Sequence, residues 1–175
     1  PGNQIELSGG LCKNIHQVCS ESYEFQKQLD EACKKLELRT LSIGYDPLTE
    51  LNDVPNNPKK RYKIMTEEMP KNGELSLDMM YHTCGTQINL DYTSEEDFKR
   101  KFKVISYLTP LTIALFSNSA IKNGKASGFL SYRSKVWQNT SRGGLPNLFF
   151  ENLNFEKYAD FIINFPILFL HNKNN

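Results

Sequence analysis

Histidine is scarce in this chain and cysteine follows no paired spacing. Three histidines and four cysteines occur in 175 residues, and no C-x-x-C pair is present. A structural zinc site needs four such ligands at short spacings, so the scattered His16, His82 and His171 argue against one. Cys12, Cys19, Cys33 and Cys84 read as reduced thiols of a cytosolic protein, the first three on one predicted helix where a small, semi-apolar side chain is ordinary. Long apolar runs are missing too. The longest, residues 167–170, falls far short of the roughly 20 residues that span a bilayer, and no membrane segment is predicted. Neither charge is in excess: 21 Lys plus Arg against 20 Asp plus Glu leaves +1. That balance gives no electrostatic footprint for nucleic acid or an anionic membrane. Finally, the chain opens on Pro1-Gly2 without an initiator Met or secretory leader and stops just after an apolar run, so it is expected to be a piece of a longer polypeptide.

What is present is enough for a core. With 39 % hydrophobic and 23 % charged residues, residues 1–175 are expected to form one partial domain. Its organising stretch is residues 79–91. Thr83, Gly85, Gln87, Asn89 and Asp91 alternate with His82, Cys84, Thr86, Ile88 and Leu90, which predicts a strand with one polar and one increasingly apolar face. The polar face is too rich in hydrogen-bonding groups to be buried dry, so it is expected to line water or a ligand. Residues 3–8 alternate in the same way, with Glu6 mid-strand between Ile5 and Leu7. Residues 38–46 repeat the pattern. Three such strands predict an α+β fold in which the open polar face of a sheet is the binding surface.

The remaining segments supply helices and loops. After Gly9-Gly10, apolar residues from Leu11 to Leu36 recur at three- and four-residue steps, predicting a long helix that covers the sheet. Residues 47–58, with three prolines, read as a loop. A short helix begins in the basic run Lys59-Lys60-Arg61-Tyr62-Lys63 and ends before Pro70; a solvated face is the commoner meaning of such a run. Thr93-Ser94 followed by three acids marks the start of another helix, with a kink expected at Pro110. Residues 117–144 are dense in Ser, Asn, Gly and Lys and read as a loop. They hold Tyr132, Arg133, Trp137 and Arg142, a composition that fits an anion-binding loop and a plain solvated surface equally well. A short helix over 155–164 and a terminal strand over 167–170 complete the chain.

Several local motifs, taken together in order, resemble one family. They are Gln4-Ile5-Glu6-Leu7-Ser8-Gly9, Ile15-His16-Gln17-Val18-Cys19, Ile43-Gly44-Tyr45-Asp46-Pro47, Arg61-Tyr62-Lys63-Ile64-Met65, Leu77-Asp78-Met79-Met80, Gln87-Ile88-Asn89-Leu90-Asp91, Ala114-Leu115-Phe116-Ser117-Asn118-Ser119 and Gly128-Phe129-Leu130-Ser131-Tyr132-Arg133-Ser134 with Trp137. In this order and spacing the chain is similar to the plant and proteobacterial type of glutamate–cysteine ligase. It departs from that pattern at His82, where relatives usually carry Arg, at Lys60, where they carry Gly, and in a shorter loop before Arg142.

The resemblance implies a curved antiparallel sheet, a cradle like that of glutamine synthetase, with helices on its outer face. It implies a reaction in which ATP phosphorylates the side-chain carboxylate of glutamate and the amine of cysteine then attacks the γ-glutamyl phosphate, with Mg²⁺ neutralising phosphate oxygens. The partners it implies are therefore glutamate, cysteine and ATP. On this sequence it makes Glu6 a metal ligand and Arg133 and Arg142 clamps for the glutamate carboxylate and the transferring phosphoryl group. It places Met65, Met80, Thr83, Gln87, Asn89, Tyr132 and Trp137 around the substrate. The 175 residues alone are expected to be inactive, because a metal cluster needs several carboxylates. A non-catalytic binding module of the same fold and a related carboxylate–amine ligase with another acceptor are the alternatives.

Overall fold

The computed structural model of the chain describes residues 2–140, 152–165 and 167. They divide into two compact units, Gln4–Ser42 and the rest from Ile43 onward together with the N-terminal tip. The described residues hold six α-helices and one two-stranded antiparallel sheet. The class is α+β.

The unit Gln4–Ser42 is built on α1 (Ile15–Lys35). The predicted strand over 3–8 does not form; residues 4–10 have no regular structure, and no β-ladder reaches them. A strand is stabilised by its ladder partners, and alternation alone supplies none. The helix begins at Ile15 and not at Leu11 because Asn14 caps it, its Oδ1 accepting from Gln17 N at 3.1 Å. Cys12 therefore lies outside the helix. The preceding residues fold back on the first turns, with Gly10 N donating to Glu21 Oε1 at 2.8 Å. At the other end Glu37 takes a left-handed conformation, φ +54°, and Leu38 N donates to Cys33 O at 2.9 Å. That is a Schellman closure with a non-glycine residue in the position that favours glycine. No residue of α1 is buried, so the stripe of Leu11, Ile15 and Leu36 that predicts a sheet-covering face stays accessible.

The second unit contains α2 (Lys60–Glu68), α3 (Ser76–His82), α4 (Glu95–Phe116), the hairpin β1 (Ile121–Lys122) and β2 (Lys125–Ala126), α5 (Tyr132–Gln138) and α6 (Phe155–Ile163). Its largest departure from expectation is α3. Residues 79–91 predict a strand, yet 76–82 are helical, and the segment after Thr83 has no regular structure up to Ser94. Helical spacing wins because Leu77, Met80 and Tyr81 stand at i, i+3 and i+4. On one helix face they meet Met69, Tyr62, Met65, Leu51 and Val54; a strand would send Met80 and Tyr81 to opposite sides. The predicted strand over 38–46 is likewise reduced to Tyr45, which forms an isolated antiparallel bridge with Thr83.

Residues 117–144, predicted as a loop, contain the hairpin and α5. The hairpin turns on Asn123 and Gly124, whose φ angles are +49° and +70°. Two consecutive positive φ values make the primed turn that fits the twist of paired strands, and Asn-Gly is its favoured sequence. The helices predicted near 59–65, from Ser94 and over 155–164 form as α2, α4 and α6. Ser94 Oγ accepts from Asp97 N at 3.2 Å, and the starts of α4 and α6 are tied by Phe155 N donating to Glu95 Oε1 at 2.7 Å. Tyr92, Phe98, Phe102, Phe155 and Tyr158 pack around that tie as an aromatic cluster, with ring centroids 5.3 to 6.0 Å apart. The predicted terminal strand lies outside the described residues beyond Ile167.

The left-handed Glu37 yields a stability prediction. An L-residue there costs about 1–2 kcal/mol, while glycine costs about 0.5–1 kcal/mol in extra chain entropy. Glu37→Gly is therefore expected to stabilise the α1 terminus by about 0.5–1 kcal/mol. Amide exchange of the last turn of α1 should slow; faster exchange would contradict this account of the turn.

Candidate functional site

Four short stretches of the second unit run side by side. Asp46 N donates to His82 O at 2.9 Å and Cys84 N to Gly44 O at 3.1 Å, so residues 44–46 pair with 82–84. On its other edge Gly44 N reaches Asn118 O at 3.5 Å, and Ser119 O accepts from Tyr132 N at 2.9 Å. Ser119 also bridges Ser131 in parallel. The order across this ribbon is 83, 45, 119, 131. These are family-resembling stretches that sequence alternation assigned to strands or loop, gathered into a ladder too short for named strands.

Beneath the ribbon sits a buried polar network. Tyr45, only 2 % exposed, donates its hydroxyl proton to Asp78 Oδ1 at 2.6 Å. With that proton committed, the 3.1 Å contact between Tyr45 Oη and His82 Nδ1 is one in which Nδ1–H donates to the phenol oxygen. Nε2 of His82 then finds no partner among the described residues. Lys122 Nζ, on β1, donates to Tyr132 Oη at 2.7 Å and lies 3.5 Å from Asp78 Oδ1. The Tyr45 ring packs edge-on against Tyr132 at 4.9 Å and His82 at 5.2 Å. Tyr132 and Val136 complete this small core with Leu75 and Met79.

The electrostatics follow from these neighbours. Burial pushes the Asp78 carboxyl up, but His82, the Tyr45 hydroxyl and the Lys122 charge outweigh it and hold the acid below the ordinary carboxylate range. His82 Nδ1 is 3.9 Å from Asp78, too far for a hydrogen bond, so Tyr45 and Lys122 supply the direct contacts. Burial and the Asp78 charge drive the Tyr45 phenol far upward, keeping it a donor. Asp46 is also held low: burial raises it, but Oδ1 accepts from Leu48 N and Thr49 N, each at 3.0 Å.

Arg133, the second residue of α5, projects toward the residue 82–85 stretch. Its Nε donates to Cys84 O at 2.9 Å, and its guanidinium carbon lies 5.5 Å from the Trp137 ring centre. Gly85 permits the approach: a Cβ at that position would stand 2.8 Å from Nη2. The side chain is half-buried, and burial pulls its pKa downward. Among the described residues neither Nη1 nor Nη2 has an acceptor and no carboxylate pairs with Arg133. A pinned guanidinium with an open fork suits a planar oxyanion.

The other predicted site residues are distributed unevenly. Thr83 Oγ1 is used locally, donating to Met79 O at 2.7 Å. Met80 is buried with Met69 and Tyr81, Met65 packs on that cluster, and Trp137 stays partly open beside Arg133. Gln87 and Asn89 do share a face, Gln87 Nε2 donating to Asn89 Oδ1 at 2.8 Å, but both are exposed. Glu6 is exposed and belongs to the other unit. Arg142 lies outside the described residues. Sequence reading did not single out Asp78, Tyr45 and Lys122. The i, i+4 spacing of Asp78 and His82 and the Asn-Gly turn beside Lys122 are the signals that point to them.

Comparison with known proteins bears on all of this. The family model described as glutamate-cysteine ligase family 2 matches residues 1–174. The chain is 42 % identical over 176 residues to "Glutamate--cysteine ligase, chloroplastic" of Medicago truncatula, covering 99 % of this chain and 35 % of that protein. It is 42 % identical over 177 residues to the protein of the same description from Arabidopsis thaliana, covering 99 % and 34 %. "Glutamate--cysteine ligase A, chloroplastic" of Oryza sativa subsp. japonica is 41 % identical over 174 residues, covering 98 % and 35 %. The chain thus spans about a third of the length of the curated relatives it matches. Each of these relatives is described as chloroplastic, which overturns the cytosolic reading of the cysteines. Free thiols are compatible with more than one compartment, so their absence of pairing was too weak a marker of place.

The lowered Asp78 and Asp46 carboxyls set a pH dependence. A carboxyl with a folded pKa below its unfolded value, about 3.9, contributes stability that is complete above that value and disappears as pH falls through the folded one. The melting temperature of the protein is expected to hold between pH 7 and about 5 and to drop below about 4. Asp78→Asn should flatten that drop; an acid limb as steep as in the wild type would exclude Asp78 as a source.

Proposed function

Because the chain belongs to the glutamate-cysteine ligase family 2, we propose that the protein containing it joins the side-chain carboxylate of glutamate to the amine of cysteine at the expense of ATP, the first step of glutathione synthesis. The observation that carries the site assignment is the open fork of Arg133. A half-buried guanidinium fixed through Nε to Cys84 O gives up part of its hydration and waits for an anion. In this reading Arg133 holds a carboxylate of glutamate, with Trp137 as one wall and Gly85 leaving room at its back. Gln87 and Asn89, whose amides already face each other, orient polar groups of the substrates. Arg142 is assigned to the transferring phosphoryl group.

The ribbon ordered 83, 45, 119, 131 supports reading these stretches as staves of a larger curved sheet, the cradle the family resemblance implies, with helices behind it. ATP supplies the phosphoryl group that turns the glutamate side-chain carboxylate into an acyl phosphate, releasing ADP; the cysteine amine then attacks the acyl carbon, forming the amide as inorganic phosphate leaves and the amine gives up a proton. Mg²⁺ has Glu6 as its candidate ligand in this chain. That single carboxylate does not by itself fit the ion: among the described residues no three His, Cys, Asp or Glu side chains converge, and Mg²⁺ sites in phosphoryl transfer use more oxygen ligands than one. A plastid location accompanies this reading, since the relatives named above are chloroplastic.

The full-length protein should form γ-glutamylcysteine from glutamate, cysteine and ATP. Arg133→Met should lower kcat/KM for glutamate about 100-fold, the loss of one charge-assisted contact of about 2.7 kcal/mol. Arg133→Lys should restore little of it, because an ammonium cannot reproduce the planar fork. Wild-type glutamate kinetics in Arg133→Met would remove the arginine from the site.

A further inference from the structure

We propose that the buried network of Tyr45, Asp78, Lys122 and Tyr132 is the positioning device that aims the Arg133 fork; the proposal rests on Arg133 being the oxyanion ligand. The bond from Arg133 Nε to Cys84 O joins two chain segments, and the network holds both within two residues of that bond. On the arginine side, Tyr132 precedes Arg133 at the start of α5, and its hydroxyl accepts from Lys122 Nζ at 2.7 Å. On the carbonyl side, Thr83 bridges Tyr45, and Cys84 N donates to Gly44 O. Tyr45 is thus the common element, packed edge-on to Tyr132 at 4.9 Å.

Asp78 holds the two halves together. Its Oδ1 accepts from Tyr45 Oη at 2.6 Å and lies 3.5 Å from Lys122 Nζ, so one carboxylate oxygen fixes the ring on one segment and the cation that clasps the other. The Asp78 side chain is 13 % exposed, and a charge so placed is costly to leave without partners. A network with that penalty tolerates little variation in geometry. The arginine needs such support. Its own local tie is one hydrogen bond at Nε, and a flexible side chain held at one point aims its fork only as well as the two segments are registered. Asp78, Tyr45 and Lys122 are therefore positioning residues that act on substrate through Arg133.

The test uses the full-length ligase, with glutamate as the probe and steady-state kinetics as the readout. Asp78→Asn and Lys122→Met should each raise KM for glutamate on the order of tenfold with kcat little changed. Lys122→Arg, which keeps a cationic donor, should restore most of the affinity. Neither Asp78→Asn nor Lys122→Met should raise KM further in an Arg133→Met background, because the group they aim is gone. Lys122 lies on the partly exposed hairpin, so Lys122→Met carries the test even where Asp78→Asn lowers the melting temperature too far. Full additivity with Arg133→Met, or a lowered melting temperature with unchanged KM, would overturn the positioning role while leaving the Arg133 site intact. Wild-type KM in Arg133→Met alone would instead remove the oxyanion site, and the proposal with it.

Discussion

The second unit depends on one short hydrogen bond, from the Tyr45 hydroxyl to Asp78 Oδ1 at 2.6 Å. A carboxylate taken out of water must be repaid by donors or positive charge. Tyr45 and Lys122 do this for Asp78, and the requirement brings three separate elements together: the 43–47 stretch, α3 and the hairpin. His82 follows because its Nδ1 meets the Tyr45 oxygen, and Tyr132 follows because Lys122 needs a second partner. The small apolar core of Tyr45, Tyr132 and Val136 is packed around this polar knot. Hydrophobic burial supplies the bulk attraction, while the knot fixes which segments lie beside which.

That arrangement holds the Arg133 cation in place although no carboxylate among the described residues pairs with it. Of the other described arginines, Arg100 is paired with Asp97 at 2.7 Å, Arg61 donates to Tyr62 Oη at 2.7 Å, and Arg39 is exposed. Arg133 differs in being half-buried, held through Nε and open at its terminal nitrogens among the described residues. Stability alone does not favour such a group, since removing part of its hydration without a paired anion is a cost. A ligand-binding role, as proposed above, is the natural setting for it. The Cys84 thiol beside it is pushed up by burial and by Asp46, against a smaller opposing pull from Arg133. It stays protonated and poorly nucleophilic, which leaves its backbone carbonyl as the group that matters.

Much of the helical content was legible in the sequence because its signals are local. Ser94, read as a cap, accepts a backbone N–H three residues on, and so do Asn14 and Asn154, which the sequence reading does not use; without Asn14 the first helix is expected from Leu11, four residues early. The strands were harder. Alternation over 79–91 is real, but the contacts that decide between strand and helix come from Met69, Tyr62 and Val54, which no local window contains. The hairpin was missed although Asn123-Gly124 announces it, because the surrounding Ser, Asn and Gly suggested loop. At the site, the family-like motifs point to Arg133 and Trp137; Asp78 lies within one of them, Leu77-Asp78-Met79-Met80, without a site role there, and Lys122 lies in none. Their roles arise from contacts between residues 33 and 44 positions apart; the local marks, Asp78 four residues before His82 and Lys122 beside the Asn-Gly turn, do not reveal that the two side chains meet.

The role proposed for the free fork of Arg133 is to receive a substrate oxyanion. A crystal structure of the full-length protein with bound glutamate tests it most directly. A glutamate carboxylate is expected in bidentate contact with the two terminal nitrogens, at about 2.8 Å, with Nε still on Cys84 O. A protein carboxylate from outside these 175 residues seated on the fork, and glutamate bound elsewhere, would contradict it.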